Sequence, residues 1–375
     1  MIARNTTYRS HLQLLIVLLT TALVVNFEAS AQEQIAPRRD RARVAAGPSR
    51  KSQLLVELPV GCNTPDAMAL MPDGNIILSV PNFNKLEEGA KLMRVTPDNR
   101  VEHWMDLPNH PITGQPIGPL GMCVGPQGEL YLADYQMTGE RQSRVLRITV
   151  VDGRPTVIEP VVTGFHVSNA VVYRDGHLYV SETQIDAKAT PATSGVSRFA
   201  LAEFEQGTVV LAADETADPH FLAAIEVHDA SLPLGADGLC FDAAGNLYIG
   251  NFADGTVHRF ALDSAGKVRS NSVFARDDRM KSADGLFFDG QTGVIYVADS
   301  RANAVQLVLP DGSVRTLVEN GDTDGRDGGL DQPCEVILRG RELIVSNMDW
   351  PVPGCINQKY DPLATLSVIR LDDQR

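Results

Sequence analysis

The sequence predicts an all-β chain folded as a six-bladed β-propeller and closed by a strand from its own N-terminal side. Three observations predict it. A two-strand motif recurs six times, the copies are spaced at blade length, and a lone early strand supplies what the last copy lacks.

The clearest copies are Ala236-Asp237-Gly238-Leu239-Cys240-Phe241-Asp242 and Ala283-Asp284-Gly285-Leu286-Phe287-Phe288-Asp289. A glycine turn and an apolar-rich strand follow each, at 246–251 and 294–299, and more variable strands come after. The same grammar recurs from Asp66, Leu120, Asn169 and Cys334, so the six copies start at 66, 120, 169, 237, 284 and 334. Most lie about 50 residues apart, within the range of propeller blades, and the third carries a longer insertion. A four-stranded sheet of that length cannot cover both its apolar faces, whereas six packed radially can. After 334 the chain has room for three more strands, near 334–340, 341–347 and 364–371. The fourth is supplied by the run 53–58, QLLVEL, and this closure removes the largest open edge.

The bulk composition agrees. With 43% hydrophobic and 21% charged residues, 31 Gly and 22 Pro, the chain is globular and rich in turns. A net charge of −14 excludes a phosphate-binding role on nucleic acid and disfavours an anionic membrane surface.

Residues 1–31 read as an export signal. Arg4 and Arg9 precede an apolar run at 14–25, and Ala29-Ser30-Ala31 provides small residues before a cut at Gln32. Residues 32–52 form a polar, flexible lead-in with an Arg-rich patch, and 53–375 form the propeller domain. The mature protein is thus expected to be secreted or periplasmic, off the membrane, in an oxidising compartment. Of the five cysteines, Cys123 and Cys240 lie in apolar strands as small hydrophobes, so any bridge uses two of Cys62, Cys334 and Cys355.

The first residue of each innermost strand can point into the channel mouth. Those positions hold Asp66, Leu120, Asn169, Asp237, Asp284 and Cys334, with Glu335 beside the last. Crowded carboxylates need protons or a cation, and a hard cation such as Ca²⁺ is suited by carboxylate and carboxamide oxygens. An Asp-Gly pair beside a strand also fits an ordinary turn.

Through Ser168-Asn169 and the Ala-Asp-Gly strand starts at 236–238 and 283–285, residues 53–371 resemble the senescence marker protein, gluconolactonase and luciferin-regenerating enzyme group. The resemblance implies one catalytic divalent cation, Ca²⁺ or else Mn²⁺ or Zn²⁺, with Asn169, Asp237 and Asp284 among its ligands. It also implies that Asp284 helps activate water for opening a lactone or related ester, a small-molecule substrate. Family members place Glu two residues before a Pro. This chain has Asn63-Thr64-Pro65-Asp66, leaving Asn63 and Asp66 as alternatives, with Asp66 taken as the ligand. Glu335 can restore the missing carboxylate or face away.

His166 precedes Asn169 by three residues and is a candidate for contact with substrate, as is Trp350 in the long, proline-containing segment 348–363, a candidate lid. His228 and Asp229 are further acid–base candidates, and the acidic stretch 320–331 reads as a solvated loop. The expected function is a metal-dependent hydrolase. A propeller that binds a small ligand or partner without catalysis is the alternative, and a lyase-like or strictosidine-synthase-like propeller a third.

Overall fold

The computed structural model describes residues 50–371. The export signal, its cut and most of the lead-in lie outside them. The described residues build six antiparallel sheets. Blade one consists of Met68–Leu70, Ile76–Val80, Lys91–Val95 and Val101–Asp106, from the axis outwards. The innermost strands of the other five are Pro119–Val124, Ser168–Arg174, Ala236–Phe241, Leu286–Asp289 and Pro333–Arg339. These match the six repeat starts.

The apolar runs that define the repeat are the second strands. Ile76–Val80, Leu130–Asp134 and Leu247–Asn251 are buried at every residue, because neighbouring blades cover both faces. The core is accordingly shared between blades. Leu78 of blade one packs in the same cluster as Ile344, Leu366 and Val368 of blade six. Tyr131 and Val145 of blade two join Val180 and Phe199 of blade three.

Ring closure follows the expected route. Gln53–Glu57 pairs antiparallel with Thr365–Arg370, with Gln53 opposite Val368 and Glu57 opposite Thr365. Blade six is thus built from both ends of the domain.

The third-copy insertion behaves differently from a simple loop. It returns to blade two, where Val209–Val210 runs parallel to Arg154–Phe165 as a fifth strand, with Val209 opposite Val162. Leu211 N extends this pairing by donating to Thr163 O at 3.0 Å. The physical gain is coverage of an outer edge that would otherwise expose its backbone donors and acceptors.

All five cysteines are free thiols, so none of Cys62, Cys334 and Cys355 is bridged. Cys334 faces the axis, its Sγ 3.3 Å from Pro65 O, while Cys355 Sγ lies 3.6 Å from Gln332 Nε2 in the blade-six rim. One expectation needs correction: the 320–331 stretch is not a uniformly solvated loop, because Leu330 and Asp331 at its end are buried. Among the described residues, no helix is long and apolar enough to cross a membrane.

Candidate functional site

In five of the six blades the segment entering the innermost strand is fixed by a buried polar side chain near the end of the second strand, Asp134 serving blade two by accepting from Gly118 N at 3.0 Å. Asp299 accepts from Lys281 N at 2.9 Å and Ser282 N at 2.8 Å. Glu182 accepts from the N–H groups of His166 and Val167, and Asn82 Oδ1 from Asn63 N at 2.7 Å. Asn347 Oδ1 accepts from Asp331 N at 3.1 Å. The anchored backbone lies two or three residues before Asp284, Asn169, Asp66 and Cys334 respectively. One device, repeated in five blades, therefore positions these strand starts at the channel mouth.

The glycine after a ring residue has a packing role. A Cβ on Gly238 would stand 2.2 Å from Asp284 O, and one on Gly285 would stand 2.3 Å from Glu335 Oε1. Neither glycine has a positive φ. Asp-Gly here is a close approach of neighbouring innermost strands, rather than the ordinary turn that the dipeptide alone also allows.

Asp66, Asn169, Asp237 and Asp284 are brought together, and Glu335 joins them. The side chains of Asp284 and Asn169 lie close enough to Asp237 to favour its ionised form. Burial pushes Asp66 up to about 7, with the Cys334 thiol as its side-chain partner. Burial, followed by the charge of Asp66, raises Asp237 well above the usual carboxylate range. Burial raises Asp284 likewise, reinforced by Asp237 and Asp66. Glu335 is pushed up to about 8 by burial, and then by Asp66 and Asp237. Asn169 Nδ2 also donates to Thr183 Oγ1 at 3.1 Å, and that hydroxyl donates to Ala236 O at 2.8 Å.

The structure distinguishes the first-blade alternatives. Asn63 Oδ1 accepts from Asn84 N at 3.0 Å, so its side chain serves the loop, while Asp66 acts on Asp237, Asp284 and Glu335. Blade two contributes no oxygen donor at its ring position, which is the buried Leu120. Below the ring runs an axial tunnel of about 450 Å³. All six blades line it, and Glu335 is its one charged lining residue among those described. Cys123 and Cys240 face this tunnel as well.

The donor chemistry fits a hard cation, since it offers carboxylates and a carboxamide with only one another to repel. Among the described residues, no group of three or more His, Cys, Asp or Glu side chains stands in metal-holding geometry. Asp237 and Asp284 instead act directly on each other, and the charge of Asp237 helps raise Asp284. Two buried carboxyls in contact favour a shared proton when no positive charge lies between them.

The other candidates occupy the rim. Trp350 packs on Phe83 with ring centroids 4.9 Å apart, and Phe83 meets Tyr135 edge-on at 6.3 Å. These three aromatics come from blades six, one and two. Sequence reading named only Trp350, because Phe83 and Tyr135 sit singly in loops with no periodic signal. The 348–363 segment is tied down at both sides. Asn84 Nδ2 donates to Asp349 O, and Ile356 N donates to Arg301 O, each at 3.0 Å. It therefore forms part of the rim between blades one and five. His166 Nε2 lies 3.6 Å from Glu215 Oε1, and Arg141 Nη2 lies 3.3 Å from the same oxygen. His228 lines an off-axis cleft of about 620 Å³ with Arg301, whose Nη1 pairs with Asp229 at 3.0 Å.

No protein-family model matches the sequence, and no curated protein matches it. Solved structures do resemble it. A gluconolactonase from Xanthomonas campestris is 14% identical with a TM-score of 0.54, covering 88% of this chain and 99% of its own. A luciferin-regenerating enzyme is 15% identical at a TM-score of 0.54, covering 88% and 96%. The PQQ-bound aldose sugar dehydrogenase of Streptomyces coelicolor is 15% identical at 0.51, covering 87% and 99%. The likeness establishes the propeller fold. Two of these proteins belong to the group whose motifs the sequence resembles, and the third shows that similar scaffolds host different chemistry. Function must therefore be argued from the site.

Proposed function

We propose that the chain is a metal-dependent hydrolase that opens a lactone or related ester at the channel mouth. The observation that supports this best is the ring of Asp66, Asn169, Asp237, Asp284 and Glu335. Asp237 is buried and Asp66, Asp284 and Glu335 are half-buried, and no basic side chain is among the groups that dominate their titration. Asp66, Asn169, Asp237 and Asp284 would hold the cation, with Ca²⁺ preferred over Mn²⁺ or Zn²⁺ for an all-oxygen set.

A bound divalent cation supplies Lewis-acid polarisation of a carbonyl and a more acidic water. Asp284 accepts the proton of the attacking water, as its ring position and its bond to Ser300 favour. Water oxygen adds to the carbonyl carbon, the ring C–O bond breaks, and that proton goes on to the departing alkoxide. Trp350 and Phe83 offer an apolar wall to the substrate, and His166 a polar contact at the rim. The same reading has the mature protein secreted or periplasmic after loss of residues 1–31.

The test is hydrolysis of a lactone and aryl-ester panel by chelator-stripped protein, before and after Ca²⁺, Mn²⁺ or Zn²⁺ is restored. Activity that needs the cation and disappears in a folded Asp284→Asn variant supports the reading. Hydrolysis that survives both chelation and the substitution overturns it.

A further inference from the structure

A second group of acids lies in the blade-six rim. Asp331 is in the loop entering the innermost strand of blade six, and Asp349 is just beyond that blade's second strand. Both are almost wholly buried, at 2% and 1% exposure. Burial pushes Asp331 up to about 7, with further contributions from Asp361, Asp324 and Asp322. Asp349 is pushed up to about 8 by burial and then by Asp331, Asp361 and Asp322. The charged neighbours that act on the pair most strongly are all acidic.

Two oxygens set this cluster apart from a set of loop-capping carboxylates. Asp349 Oδ1 is buried without a hydrogen-bond donor, although Oδ2 of the same group accepts from Asp361 N at 2.6 Å. Gln332 Oε1, on a residue 2% exposed, is also buried without a donor, while its Nε2 donates to Trp350 O at 2.7 Å. A buried oxygen with no donor has lost its hydration without replacement, a cost that is larger when it is charged, and a cation removes that cost. Carboxylate and carboxamide oxygens are the donors Ca²⁺ takes. Such a mixed set does not require three His, Cys, Asp or Glu side chains.

We propose that Asp331, Asp349 and the Gln332 carboxamide oxygen bind a calcium ion, with Asp322 and Asp361 supplying outer charge, and that this ion fastens the 348–363 segment to the loop entering blade six. The existing ties follow the same path. Asn357 Nδ2 donates to Asp331 Oδ1, and Thr323 N donates to Asn357 Oδ1 at 2.9 Å. Trp350 follows Asp349 directly, so the ion also steadies the aromatic that packs on Phe83. This site stands whether or not the channel ring holds a cation.

Terbium(III), a luminescent substitute for Ca²⁺, tests it on the chelator-stripped mature protein. The chain has two tryptophans, and the other, Trp104, belongs to the outer strand Val101–Asp106 of blade one. Excitation of tryptophan should give saturable terbium emission that Ca²⁺ competes away. Affinity should fall on the order of tenfold or more in Asp349→Asn. Emission should be largely lost in Trp350→Phe and kept in Asp284→Asn. Asparagine tolerates the positive φ of 46° at Asp349, and Asp331→Asn provides a second variant. Calcium should raise the melting temperature of the wild type more than that of either Asn variant. Unchanged terbium affinity in both Asn variants, loss of emission only in Asp284→Asn, or no saturable emission would each overturn the proposal.

Discussion

Ser300 Oγ lies 2.5 Å from Asp284 Oδ2 and 2.7 Å from Pro333 O. The hydroxyl has one proton, so it cannot donate to both. When Asp284 is protonated, it can donate to Ser300, which then donates to Pro333 O. When Asp284 ionises, Ser300 must turn its proton to the carboxylate. Ser300 thus favours the ionised form of Asp284 against the burial and neighbouring charge that oppose it.

Ser300→Ala should therefore raise the pKa of Asp284 and move the acid limb of any pH–rate profile to higher pH. Cation affinity should fall by about tenfold, the lower end of what is typical when a ligand loses its orienting partner. A pH profile together with a metal titration checks both. An unmoved acid limb with unchanged affinity would remove Ser300 from the account.

The raised carboxyl groups also set a direction for stability. Asp66 and Glu335 titrate near 7 and 8 in the folded chain, above their ordinary 3.8 and 4.5. Between those limits the folded state holds more protons than the unfolded state, so stability falls as pH rises. It is fully present below about pH 4 as far as these groups are concerned, and lost through about pH 7–8. Each pH unit between folded and unfolded titration is worth about 1.4 kcal/mol per group. Metal-free protein should melt at a lower temperature at pH 8.5 than at pH 5.5, and a saturating divalent cation should shrink or reverse the difference. Thermal unfolding in chelator across that range checks the sign.

Asp299 makes the clamp that aims Asp284. Its two oxygens accept from Lys281 N, Ser282 N, Ser282 Oγ, Ala302 N and Gln306 Nε2. Asp299→Asn turns an amide N–H₂ toward these donors and should cost about 2–3 kcal/mol. Denaturant unfolding measures the loss. Because the clamp acts through backbone two or three residues before Asp284, cation affinity should fall too.

Phe83 supports Trp350 from the neighbouring blade. On a substrate that the protein turns over, Phe83→Ala should raise KM severalfold with a smaller change in kcat, since Phe83 backs the aromatic wall rather than the reacting atoms. A loss confined to kcat would contradict that placement.

The propeller was legible because its cause is local and repeated. Each second strand is buried on both faces, so 75–80, 129–134, 246–251 and their counterparts read as apolar runs at blade spacing. Closure was legible for the same reason, as QLLVEL at 53–58 is a strand without a blade. The ring positions followed from the repeat register, which placed Asp66, Asn169, Asp237 and Asp284 together. What remained hidden depends on contacts between distant segments. The parallel pairing of Val209–Val210 with Arg154–Phe165 has no pattern of its own in so short a strand. Burial of Asp331 results from loops of blades five and six meeting, which an acidic, glycine-rich stretch does not announce. The clamps escaped notice too, because Asn82, Asp134, Glu182, Asp299 and Asn347 differ in chemistry while sharing a position at or near the second-strand end.

The most direct test of the channel-mouth centre is elemental analysis of purified mature protein, wild type beside Asp284→Asn, after dialysis against trace divalent cation. The account predicts that the wild type retains one more equivalent of Ca²⁺, Mn²⁺ or Zn²⁺ per chain than the variant. Equal metal content in two folded proteins, including none in either, would contradict it.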